Sequence, residues 1–180
     1  MNNYFNNSFK QKIILTLITA VSSALITLIF SYTFQKWEKK KEGEKWLQIF
    51  AIEIKNYHGS DIICQYINDV KNKINNIDNL NLFDNKLLLP DAVLSVPSIY
   101  SSNLNKIGLL KEDDAENIIN FHTSYKNSII MFSESSTFNK FGFTPKTLDA
   151  LLENLMEAER YKRKVLNSAN IEYLPKCNTD

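Results

Sequence analysis

The chain has 180 residues, with 21 Lys and Arg against 20 Asp and Glu, for a formal net charge of +1. One membrane span plus one soluble domain uses up that length. The near-neutral balance argues against nucleic-acid binding, which wants a basic face, and four glycines in all leave no sequence-local material for a Gly-lined phosphate cradle.

Residues 1–12 are a short leader, and its first nine, MNNYFNNSF, carry no structure of their own. Residues 13–34, IILTLITAVSSALITLIFSYTF, follow, with no charged residue between Lys12 and Lys36. A helix of this length reaches about 33 Å, enough for a hydrocarbon core of about 30 Å. The run is too long for a signal-peptide core, and its edge at Ser31-Tyr32-Thr33-Phe34 is no small-residue cleavage site. It is expected to be a transmembrane helix. Thr19, Ser23, Thr27 and Ser31 recur every four residues, with Ala20 and Ala24 alongside. Small residues at that spacing let helix backbones approach, so this is a candidate self-association face. The competing reading is that each hydroxyl bonds back to a carbonyl one turn earlier. No ionisable residue lies inside the span, so no ion pathway is indicated.

Residues 35–45 continue as a basic juxtamembrane helix. Lys36, Lys39, Lys40, Lys41 and Lys45 stand on this side of the span against Lys10 and Lys12 on the other. That bias predicts a cytoplasmic C-terminal domain at an inner membrane. Lys36, Lys39, Lys40 and Lys41 are the expected contacts to anionic lipid headgroups. The remaining residues, 46–180, hold 14 bases and 17 acids. Gly43 reads as a hinge between span and domain.

Residues 46–169 read as a bundle domain. Leu47, Phe50, Ile54 and Tyr57 form one apolar stripe, and Ile63, Ile67, Val70, Ile74 and Ile77 another. Between them, His58-Gly59-Ser60-Asp61 reads either as a turn that makes a hairpin or as part of one long helix whose stripe shifts phase; the second, with a bend at Gly59, is the favoured expectation. Residues 75–86 are an Asn/Asp-rich loop. Ser98 is placed to cap a helix of about ten residues that stops at a left-handed Gly108. Glu112, Asp113 and Asp114 open the next helix at its positive end. Its stripe is Ala115, Ile118, His122, Tyr125, Ile129 and Phe132. After a loop at 133–143, Thr144-Pro145 starts the last helix as cap and first position. Leu148, Leu151, Leu155, Ala158 and Val165 line it. Residues 170–180 are expected to be a flexible tail broken by Pro175. Every long segment has the helical period, so the fold class is all-α: one N-terminal transmembrane helix followed by a small antiparallel helical bundle.

No chemical constellation emerges. His122, on an apolar stripe, reads as a core residue, and His58 has no second ligand at metal spacing. Cys64 and Cys177 read as free thiols in a reducing compartment. Glu153, Glu157 and Glu159 mix with Arg160, Lys162, Arg163 and Lys164, which reads as a solvated face with local pairs. No catalytic residue, metal ligand or cofactor is expected.

The order of pieces carries a resemblance. A span, a basic collar, a helix with Glu53-x-x-Asn56, the stretch LLPDAVLSVPSIYSSNLNKIGLL and an acid-capped helix ending near Phe121 to Tyr125 resemble small uncharacterised bacterial single-span membrane proteins with a helical cytoplasmic domain. The likeness is one of layout, over residues 13–132. It implies no site residues, but such proteins often sit in defence-type gene clusters. Two readings follow. One is a non-enzymatic interaction or sensor module tethered to the bilayer, meeting another copy or a protein partner through its bundle. The other is an antiviral-defence or toxin effector that permeabilises the membrane by oligomerising through its span.

Overall fold

A computed structural model of the chain describes residues 2–56, 62–75, 98–132 and 144–173. Among these, all regular structure is helical: α1 (Asn2–Asn56), α2 (Ile62–Asn75), α3 (Ser98–Ser102), a 3-10 turn (Leu104–Leu109), α4 (Glu112–Phe132) and α5 (Pro145–Ser168). The chain divides into two compact units, Met1–Glu42 and Gly43–Asp180.

The first unit is helix alone. α1 starts at Asn2, so the leader expected to lack structure is helical. No Pro or Gly interrupts residues 2–42, and extending a helix already nucleated adds one hydrogen bond per residue fixed. The run from Ile13 to Phe34 is apolar on every side, and Leu15, Ile26, Leu28 and Phe30 are all at least 66% exposed. Nothing in its most apolar 18 residues is buried, and α1 is long and apolar enough to cross a membrane.

The second unit has one core. Phe50, Ala51 and Ile54 of α1 join Ile63, Ile67 and Val70 of α2, Ile118 and Phe121 of α4, and Leu148, Leu151, Leu155, Ala158, Val165 and Leu166 of α5. α4 and α5 pack along each other, and α2 packs on α5. The expected stripes supply nearly all of these residues. Phe121, absent from the expected α4 stripe, is fully buried.

Several expectations are corrected. α1 is described as far as Asn56 and α2 from Ile62; the expected bend at Gly59, and with it the continuity of the two stripes, lies outside the described residues, as do Tyr57, His58, Ile77, most of the Asn/Asp-rich loop and the 133–143 loop. Gly43 is no hinge. It is buried inside continuous α1, and a Cβ there would collide with the Leu109 carbonyl oxygen. The ten-residue helix after Ser98 is two pieces, α3 and the 3-10 turn. Gly108 lies within the 3-10 turn, and the cap after it is extended Leu110, with φ −78° and ψ 165°. Of the three acids that open α4, Asp114 is buried, at 7% exposed.

The ends of α5 show contrasting legibility. Thr144 caps it as expected: its hydroxyl accepts from the Thr147 N–H at 3.3 Å, and the Thr144 N–H donates to the Thr147 hydroxyl at 2.8 Å. At the other end, Asn170 takes a left-handed φ of 52°. The Ile171 N–H reaches the Leu166 carbonyl at 2.8 Å and the Asn170 N–H reaches that of Asn167 at 3.0 Å. This pair of bonds is a Schellman stop. Residues 170–173 are therefore held, where a free tail was expected; residues beyond Tyr173 lie outside the described ones.

Candidate functional site

The expected self-association face stays on the exposed surface of α1. Thr19, Ala20, Ser23, Ala24, Thr27 and Ser31 are all exposed. The Thr19 hydroxyl donates to the Leu15 carbonyl at 2.9 Å, Ser23 to Ala20 at 2.9 Å and Thr27 to Ser23 at 2.8 Å. These hydroxyls are satisfied within their own helix, so close backbone approach is what the row offers a neighbouring helix. In the collar, Lys36, Lys39, Lys40 and Lys41 are exposed. The Lys41 ammonium lies 5.7 Å from the centroid of the Trp37 ring, and Trp37 lies 6.0 Å from Phe34. Cation and aromatic rings together form the pairing that suits a membrane–water interface.

The structure builds a second cluster that the sequence did not announce. Glu53 on α1 reaches the start of α3. Its carboxylate accepts from the Ile99 N–H at 2.7 Å and the Tyr100 N–H at 3.0 Å. A carboxylate from a distant helix thus satisfies two orphan donors that Ser98 was expected to serve. Burial pushes the Glu53 carboxyl above its ordinary range, and the two N–H groups pull the other way. Tyr100 then stacks face to face on His122 of α4, with centroids 3.6 Å apart and an interplanar angle of 19°. Phe121 meets the same imidazole edge-on at 5.1 Å. His122 is 7% exposed, and its Nε2 is buried with no hydrogen-bond partner. Burial holds its pKa down at about 3, so the ring is neutral. The neutral imidazole lies between aromatic rings in the core, on the stripe where the sequence placed it.

A third cluster lies near the C-terminal end of α5. Glu159 and Lys162, expected on a solvated face, are 0% and 1% exposed. Glu159 accepts from the Arg163 Nε at 3.2 Å and from the Tyr173 hydroxyl at 3.2 Å. The Lys162 ammonium sits 4.6 Å from the Tyr173 ring centroid. The segment leading to Tyr173 is tied to α1 as well. The Gln48 amide donates to the Ala169 carbonyl at 2.6 Å, and the Lys55 ammonium donates to that of Glu172 at 3.1 Å. Buried Glu159 is thus paired and hydrogen-bonded, which burial requires of a charge, and Lys162 lies against the face of Tyr173. Cys64, expected as a free thiol, is disulfide-bonded and 2% exposed. The chain has one other cysteine, Cys177, outside the described residues.

Finally, the outer face of α5 carries an open groove. Leu152 and Met156 form its apolar floor, with Asp149 and Glu153 toward one end and Arg160 and Arg163 toward the other. Glu157 also lines it and pairs locally with Arg160 at 3.4 Å. Among the described residues no group of three His, Cys, Asp or Glu side chains gathers as metal ligands would. No protein-family model, curated protein or solved structure matches the chain.

Proposed function

We propose that this protein is a membrane-anchored interaction module without catalytic activity, in which a single span of α1 holds an antiparallel helical bundle at the inner membrane. The observation that carries the reading is the uncovered apolar surface of α1. Side chains such as Leu15, Ile26 and Phe30 are exposed on all sides of the helix, and water is a costly solvent for such a surface while a bilayer is not. The exposed lysines of the collar support a headgroup contact beside it. Two of the domain's carboxylates support the rest of the reading, because Glu53 caps the start of α3 and buried Glu159 pairs with Arg163.

The row of small and hydroxylated residues on α1 favours one second reading. Thr19, Ser23, Thr27 and Ser31, with Ala20 and Ala24, suit close helix packing in lipid, so the span would oligomerise and permeabilise the membrane, as an effector of a defence or toxin system does. Membrane potential separates the two. Cells expressing the full chain are compared with cells expressing a chain that begins at Lys36. The module reading expects the full chain in the membrane fraction with potential intact. Depolarisation that requires the span, and that disappears in Ser23→Leu/Thr27→Leu, moves the conclusion to the effector.

A further inference from the structure

We propose that the outer face of α5 is a self-complementary docking surface, on which a second copy of this chain seats antiparallel with the acidic half of one helix against the basic half of the other. The proposal rests on the interaction-module reading and names the partner of its domain.

The pattern is on one helix face. Asp149, Glu153, Met156, Arg160 and Arg163 step by 4, 3, 4 and 3 residues, the spacing that keeps side chains in register along a helix–helix seam. Leu152 and Met156, both only partly buried, give the seam an apolar centre. The charge is graded along the face, with Asp149 and Glu153 before the centre and Arg160 and Arg163 after it beside the single acid Glu157, which pairs with Arg160 at 3.4 Å. A parallel neighbour would set acid against acid and base against base. An antiparallel neighbour about a two-fold axis near Met156 sets each acid pair against a base pair, twice over, which is the arrangement an isologous dimer produces. A single helix face buries less than the roughly 1,000 Å² of a stable soluble interface. The contact is therefore weak by itself and depends on the raised effective concentration that a shared membrane tether supplies.

The experiment uses the full chain in membranes. A benzophenone amino acid replaces exposed Ala150, and photo-cross-linked dimer is quantified and mapped by peptide mass. The expected adduct joins position 150 to a partner peptide containing Arg160 and Arg163. Asp149→Lys/Glu153→Lys alone, and Arg160→Glu alone, each reduce the dimer by about tenfold, because each makes the face predominantly one sign. Co-expressing the two variants restores it, because each acquires the partner the other needs. Arg163 is left intact because it holds buried Glu159, and helical circular dichroism of each purified variant shows that it folds. Dimer that survives the reversals, variants that fail to restore each other, or an adduct joining 150 to 150 overturns the antiparallel α5 contact. A chain absent from the membrane fraction overturns the module reading itself, a failure seen before any cross-link is scored.

Discussion

His122 shows how one buried side chain sets a pH response. Its ordinary pKa is near 6.5, and burial lowers it to about 3 in the fold. A lowered basic group binds its proton more readily in the unfolded chain. Stability is therefore full above about pH 6.5 and falls by up to about 1.4 kcal/mol per pH unit as pH drops toward 3. Glu53 works in the opposite sense, since its raised carboxyl takes up a proton first in the folded state, so it offsets part of the loss as pH falls. His122→Phe keeps the stack on Tyr100 and removes the unpartnered Nε2. Thermal unfolding of the full chain in detergent between pH 7.5 and 5 is expected to flatten in this variant, with no loss at pH 7.5; an unchanged slope assigns the response to other groups. Gly43 gives a second residue-level prediction. In an exposed helix interior Gly→Ala gains up to about 1 kcal/mol. Here the added methyl meets the backbone oxygen of Leu109, which cannot swing aside as a side-chain tip would. Gly43→Ala is expected to destabilise by about 1–3 kcal/mol, and a rise in thermal midpoint would refute the close approach.

At the scale of elements, what could be read from the sequence divides by how local its cause is. The start of α5 is legible because Thr144, Pro145 and Thr147 carry the whole cap within four residues. The core stripes of α1, α2 and α5 are legible because their period repeats over several turns. α3 is not, because what holds its first turn is Glu53, 46 residues away along the chain. Glu159 and Lys162 mislead for a related reason. Their neighbours in sequence are charged, while their burial depends on Tyr173 and on a segment tied back to Gln48 and Lys55. The same holds for the face on α5, whose mixture of acids and bases was visible but whose groove was not. The helix end near residue 169 was legible, but the stop written locally in Asn170 was not, because the residues after it read as the start of a tail broken by Pro175. Asn tolerates the left-handed conformation better than other non-Gly residues. Asn170→Ala is therefore expected to cost about 1 kcal/mol, and Asn170→Gly to cost little or nothing. Equal effects of the two substitutions on the thermal midpoint would show that φ at this position is not what matters.

For the whole molecule, the proposed anchoring sets two features against each other over which side of the membrane would receive the domain. The five lysines at 36–45 against two before the span favour retention of the C-terminal side in the cytoplasm, because Lys and Arg near span ends resist translocation. The disulfide at Cys64 belongs more naturally to an oxidising compartment. The lysine bias acts at insertion, before the domain folds and before any disulfide can close, so on the proposed anchoring it is the feature expected to set orientation. Buried Cys64 is 2% exposed, and a disulfide shielded from small thiols is reduced slowly even in a reducing compartment. A fluorescent protein fused after Asp180 is accordingly expected to fluoresce, and alkaline phosphatase at the same position to stay inactive. Reversing the bias, by replacing Lys36, Lys39, Lys40 and Lys41 with Gln and adding lysines to the leader, should invert both reporters. Active phosphatase on the unaltered chain would instead place the domain outside, where the disulfide needs no shielding and the collar meets the outer leaflet.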